Sequence, residues 1–149
     1  MTSRIILAAL ASLLVAAAPA PVADDTVVLT TLGYTTGESL FVTHMAVGTL
    51  ADAVGTKTYT AEQATSFVDT YINITRGLRA QMTKLAGTAL KKDDAQFVQD
   101  TIRTADEVVV ESNDLKKYIA SRSQADAEAY DNDRKQALKE IKALLSIKD

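Results

Sequence analysis

The chain has no cysteine, no tryptophan, a single histidine and two prolines, and aromatic residues make up only 5% of its 149 residues. Each shortage closes a class of chemistry. Without cysteine there is no disulfide, thiolate nucleophile, iron–sulfur cluster, covalent haem or lipid-anchored lipoprotein cysteine. One histidine, His44, cannot build a His-rich zinc site, and neither His-Glu-x-x-His nor the paired Glu-x-x-His of di-iron bundles occurs. No Gly-rich phosphate loop precedes a helix, and there is no Gly-x-Ser-x-Gly elbow. Asp131-Asn132-Asp133 starts like a calcium loop, but Lys135 stands at the next ligand position and the turn glycine is missing. The expectation is a protein that is not an enzyme and needs neither metal nor cofactor.

Charge narrows the partners. With 16 basic and 19 acidic side chains the formal charge is -3, which is no nucleic-acid footprint. The cluster Arg134, Lys135, Lys139 and Lys142 is balanced by Asp131, Asp133 and Glu140, as on an ordinary solvated face rather than a membrane-binding one. An unknown protein or small ligand remains as the partner, and the oligomeric state is open.

The first 23 residues have the pattern of an export signal. Arg4 supplies the positive start, Ile5 to Ala18 an uncharged apolar segment, and Ala18-Pro19-Ala20 and Pro21-Val22-Ala23 small-residue cleavage sites. Cleavage after Ala23 would leave a mature domain over 24–149 that begins Asp24-Asp25. It implies a periplasmic or secreted address, in a bacterium by composition, and no membrane attachment after cleavage.

The mature part reads as four amphipathic helices. The second is the clearest: Ala64, Phe67, Tyr71, Ile74, Leu78, Met82, Leu85 and Ala89 recur at gaps of three and four, on one helix face. Thr60-Ala61-Glu62-Gln63 is a capping box at its start. A first helix carries Leu29, Gly33, Thr36, Leu40, Thr43, Val47, Leu50 and Val54, with Gly55 as its end signal. A later start at Thr35-x-x-Glu38 is the alternative. Asp93-x-x-Gln96 caps a third stripe of Val98, Ile102, Ala105, Val109, Ser112, Leu115 and Ile119. Ser123-x-x-Asp126 caps a fourth with Ala127, Tyr130, Arg134, Ala137, Ile141 and Leu144. The pattern breaks around 120–123 without Gly or Pro, so one long kinked helix competes there.

Helices over about 26–54, 60–90, 93–121 and 124–147, joined by short turns, imply one all-α domain. The expected fold is an antiparallel up-down-up-down four-helix bundle packed like a coiled coil. Folding the chain back at those turns sets His44 level with Tyr71, Tyr71 with Ser112 and Asn113, and those with Arg134. A polar layer of His44, Tyr71, Ser112, Tyr130 and Arg134 is therefore expected midway. It serves either to fix register, as a buried polar residue does in coiled coils, or as a ligand pocket.

Two resemblances follow from these residues. With His44 beside Met82 or Met45, the chain is similar in outline to exported haem bundles of the cytochrome b type, which use one His and one Met. Tyr59-Thr60-Ala61-Glu62-Gln63 resembles the Leu-Thr-x-x-Gln motif of small periplasmic helical chaperones of the Spy and CpxP kind, with Tyr in place of Leu. Lys92-Asp93-Asp94-Ala95-Gln96 is a fainter echo that lacks both Leu and Thr. The first resemblance implies a non-covalent haem carrier, the second a chaperone, and a plain binding or structural module is the third reading.

Overall fold

The structure, a computed structural model, describes residues 25–148; the expected export signal over 1–23 lies outside the described residues. Among the described residues there are four helices and no strand: α1 (Asp25–Gly55), α2 (Ala61–Ala86), α3 (Lys92–Ser121) and α4 (Gln124–Leu144). The first helix runs unbroken through 26–37 despite its Val, Thr and Gly content, so the late start at Thr35 is not used. Tertiary burial of its stripe overrides weak propensity. Gly33, Thr36, Leu40, Thr43, Val47, Leu50 and Val54 are buried and Leu29 is half-buried.

Helix α1 touches α2, α3 and α4, and α3 touches both α2 and α4, whereas α2 and α4 do not meet. The core has two apolar clusters. Val47, Leu50, Val68, Ile72, Leu115 and Ile119 are in one, and Leu40, Ala105, Val108, Ala137 and Ile141 form the other.

The ends follow local chemistry. Thr60 caps α2: its hydroxyl accepts from the Gln63 amide at 3.2 Å, and the Gln63 side chain accepts from the Thr60 amide at 3.0 Å. Thr60→Ala is expected to lower stability by about 1 kcal/mol, read as a shift in the urea midpoint with unchanged slope. Ser123 caps α4 through the Asp126 amide at 3.1 Å.

Asp93 and Gln96 do not cap α3, which is a correction. The helix begins one residue earlier at Lys92, with Lys91 in the N-cap position and no side-chain cap. Asp93 then sits inside the first turn, where its charge complements the exposed amides directly. Gln96 donates instead to Asp100. Helix α2 stops at Ala86 rather than near residue 90, with Gly87 closing it, and α4 stops at Leu144 rather than 147. The break at 120–123 is a true boundary. Arg122 adopts a left-handed conformation (φ 56°) and its amide bonds back to Tyr118 O. An arginine fills the place that glycine usually marks.

One expected stripe is rotated. Phe67 and Ile74 are 44% and 57% exposed, while Val68, Ile72 and Thr75 are buried in their place. Ala64 and Met82 of the expected stripe stay buried, so the displacement is confined to the middle of α2, where the buried face lies up to one residue, about 100°, from the one its bulkiest apolar side chains suggest.

Candidate functional site

The polar layer forms between the two apolar clusters. On α1, His44 falls between Leu40 of one cluster and Val47 of the other. On α3, Glu111 falls between Val108 and Leu115, and on α4, Arg134 lies between Tyr130 and Ala137. His44 is 1% exposed and Glu111 0%. The imidazole Nδ1 lies 2.9 Å from Glu111 Oε2. When Glu111 is ionised it can only accept, and Nδ1–H is then the donor, which sets the ring's tautomer.

Burial pushes the Glu111 carboxyl above its usual range, while the His44 bond and the charges of His44 and Arg134 pull it back. The Tyr130 hydroxyl is also held well above its ordinary value, by burial first and then by the Glu111 charge. Glu111 Oε1, Tyr130 OH and Arg134 Nε are buried without a hydrogen-bond partner among the described residues. A layer with unsatisfied members costs stability.

Glycine makes room for the cation. The Arg134 guanidinium lies against Gly48, and a Cβ built there would stand 2.7 Å from Nη2. Gly48→Ala must therefore displace Arg134 and is expected to cost about 1 to 3 kcal/mol, as overpacking does. Chemical denaturation of this variant beside Gly77→Ala, the same change at a helix glycine with nothing within 4 Å of a built Cβ, checks it.

The expected members divide. His44, Tyr130 and Arg134 come together. Ser112 is buried in the same region, but its hydroxyl donates to Val108 O of its own helix at 2.7 Å and makes no cross-helix bond. Tyr71 does not join the layer: it is half-buried against the Val47–Leu115 cluster. The rotation of α2 puts Thr75 on the buried face in its place, with its hydroxyl satisfied by Tyr71 O at 2.9 Å. Glu111, the acid at the centre, is absent from the sequence reading. Its signal was the diagonal Thr101, Thr104, Val108, Glu111, Leu115, whose gaps of three and four put an acid on a buried face.

A second acid pair lies beside the layer, between α3 and α4. Asp114 accepts from Lys117 and also bonds with Asp133. Sharing a proton with Asp114 raises Asp133 to about 6 from 3.8, and the same bond lowers Asp114. A carboxyl raised in the folded state favours the protonated fold, so its contribution is lost as pH climbs from about 4 to 6. Glu111, also raised, tilts the same way. Asp133→Asn is expected to flatten the fall in stability across that window, measured by urea titration at pH 4, 5, 6 and 7.

Two surface features complete the picture. The flank of α1 turned away from α4 carries Val28, Leu32, Thr35, Ser39, Val42 and Ala46, because Gly37 and Gly48 face α4. The flank of α2 turned away from α3 carries Gln63, Phe67, Thr70, Ile74 and Gln81, because Asp69 and Arg79 face α3. These flanks border one seam, and the residues named on them are uncharged, with Glu38 at the outer edge one turn from Val42. The Ser39 and Thr70 hydroxyls donate to carbonyls of their own helices, so both are already satisfied. The other feature is an apolar cleft where the first turns of α1 meet the ends of α2 and α4 and the start of α3.

Neither methionine shares the layer with His44. Met45 is exposed, and Met82 lies in the cleft. As Arg79 meets Asp106 and Asp69 meets Lys116, Glu111 stands level with residue 74 of α2. Met82 is eight residues on, about 12 Å along the axis. No group of three His, Cys, Asp or Glu among the described residues is placed to hold a metal ion, and no described helix is long and apolar enough to cross a membrane. Comparison with family models, curated proteins and solved structures found no match, so any function has to be argued from the chemistry of the chain itself.

Proposed function

We propose that this chain is a non-catalytic binding module of the exported compartment, an antiparallel up-down-up-down four-helix bundle whose partner packs on the α1–α2 seam. Three pairings support the topology. Ten residues back along α2, from Arg79 to Asp69, is ten residues on along α3, from Asp106 to Lys116. Eleven back along α1, from Gly48 to Gly37, is eleven on along α4, from Arg134 to Leu145. Between α1 and α3 both numbers rise together, from Gly33 with Phe97 to His44 with Glu111. Export is supported by the uncharged run after Arg4. The sealed layer supports the non-catalytic reading, because a substrate has no way in to His44 or Glu111.

The observation that carries the binding role is the apolar seam, with Val42 64% exposed on α1 and Phe67 and Ile74 exposed along α2. Exposed apolar surface framed by polar residues marks interaction sites. The partner it fits is another helix with an uncharged, apolar stripe, set along the groove between α1 and α2. Photo-cross-linking from a benzoyl-phenylalanine at position 42 or 74, in the exporting cell, is expected to capture one discrete partner. The same probe at Lys135 should capture none. Identical products from all three positions, or none from 42 and 74, would defeat the reading.

The same exposed seam favours a second reading, a periplasmic helical chaperone. Suppression of client aggregation by the purified protein, abolished in Val42→Asp/Ile74→Asp, would select it. The Thr60–Gln63 motif does not discriminate, since the cap already uses both side chains.

A further inference from the structure

The cleft at the end of the molecule has a volume of about 290 Å³ and draws on all four helices. This is the lower edge of the size of small-molecule sites, about 300–1,000 Å³, so it suits one slim chain rather than a fused ring system. Its walls are Leu29 and Leu32 of α1, Met82 and Leu85 of α2, Phe97 of α3 and Leu145 following α4. Two glycines hold those walls in place: the Phe97 ring lies 3.1 Å from where a Cβ on Gly33 would stand, and Leu145 lies 2.5 Å from the corresponding point on Gly37. Methionine and leucine adapt to a flexible chain better than to a rigid one.

Charge in the lining of the cleft is of one sign, while the adjoining hollow that shares Leu29, Thr30 and Asp94 also carries Asp93 and Lys91. Thr30, Tyr34 and Ser146 are neutral, and Asp94, half-buried in the first turn of α3, is the one charged side chain in the lining. No lysine or arginine lines it. Asp94 makes no hydrogen bond or ion pair among the described residues. A carboxylate beside apolar walls attracts a cation and repels an anion, more strongly than it would in open water.

We propose that the cleft is a binding site for a single-chain amphiphile with a cationic head, the chain lying between Leu29, Met82 and Phe97 and the head beside Asp94. The site shares only Leu32 with the α1–α2 partner surface, and its test needs only the purified protein and a small molecule. Soluble fatty acids, whose heads are anionic, are the wrong class for it.

The test uses two probes of equal chain length, decyltrimethylammonium and decanoate, titrated calorimetrically into the protein below their micelle concentrations. The cationic probe is expected to saturate at one per chain and to bind about tenfold tighter than decanoate, a gap of about 1.4 kcal/mol. Asp94→Asn should bring the two affinities within about twofold of each other. Leu32→Lys, at a wall position exposed enough to keep the fold, should abolish binding of the cation, with circular dichroism confirming unchanged helix content. Absence of saturable binding by the cation overturns the site. So does equal binding of both probes, or isotherms that neither substitution alters. A concentration-dependent dimer in sedimentation that Leu32→Lys abolishes but Val42→Asp does not, in a protein that fails to bind the cation, would show that a second copy fills the cleft, and would overturn it too.

Discussion

Glu111→Ala is expected to destabilise the protein by about 3 to 5 kcal/mol, the cost of removing one member of a buried charge network. The deletion leaves the His44 Nδ1–H without its acceptor and the Arg134 guanidinium, wedged against Gly48, without its counter-charge. Thermal unfolding should fall by roughly 10 °C or more. The informative comparison is the triple variant His44→Leu/Glu111→Leu/Arg134→Met, in which no charge is left behind. Burying apolar side chains of similar volume there is expected to be neutral or stabilising by about 1 to 4 kcal/mol. If the layer exists to fix pairing, the triple variant will be stable yet less singular, with broadened amide resonances or a mixture of oligomers. If Glu111→Ala costs less than about 1 kcal/mol, the acid is wet or uncharged and the layer is not an ionic one. If the triple variant is as destabilised as the single, the layer contributes net stability of its own.

That contrast matters because the layer divides the core. Its three members each occupy the position between a residue of one apolar cluster and a residue of the other, on three different helices. A slip of one heptad along any helix would bury a charge against Leu40, Val108 or Leu115, and the cost of an unpaired buried charge is far above that of a misplaced apolar side chain. Such specificity at a cost in stability is what a chain without disulfides has available when α1, almost all apolar or hydroxylic, offers little else to fix its register.

Much of this was legible from the residues alone, and the misses have a common cause. The helix count, the first helix's stripe, the Thr60 and Ser123 caps and the placing of His44 level with the middle of the other helices all rest on spacing, which tertiary structure leaves intact. What spacing could not give was which of two adjacent diagonals faces inward when both are partly apolar. Helix α2 offers Phe67–Tyr71–Ile74 and Val68–Ile72–Thr75, and the larger side chains argue for the first. The structure buries the second, and in that orientation Asp69 and Arg79 meet Lys116 and Asp106 on α3. The same preference for conspicuous residues hid Glu111, which stands next to Ser112 and is an acid, a type almost never fully buried unless paired. Arg122 as a left-handed helix end was unreadable for a different reason, since nothing in its side chain favours that conformation.

The rotation of α2 gives the second large expected effect, and a test that uses one chemical change at two nearby positions. Ile72 is 3% exposed and Ile74 is on the open seam. Ile72→Ala should cost about 2 to 5 kcal/mol, the sum of lost transfer energy and a cavity among Val47, Val68 and Leu115, while Ile74→Ala should stay within about 0.5 kcal/mol. Equilibrium denaturation of the two variants side by side, at equal slope, reads the difference with propensity and side-chain type cancelled. Reversed magnitudes would restore the face that the bulky residues suggest, and would at the same time remove Ile74 from solvent. The seam would then lose one of its two largest apolar side chains on α2. A single pair of stability measurements therefore bears on both the packing of α2 and the surface on which the proposed partner docks.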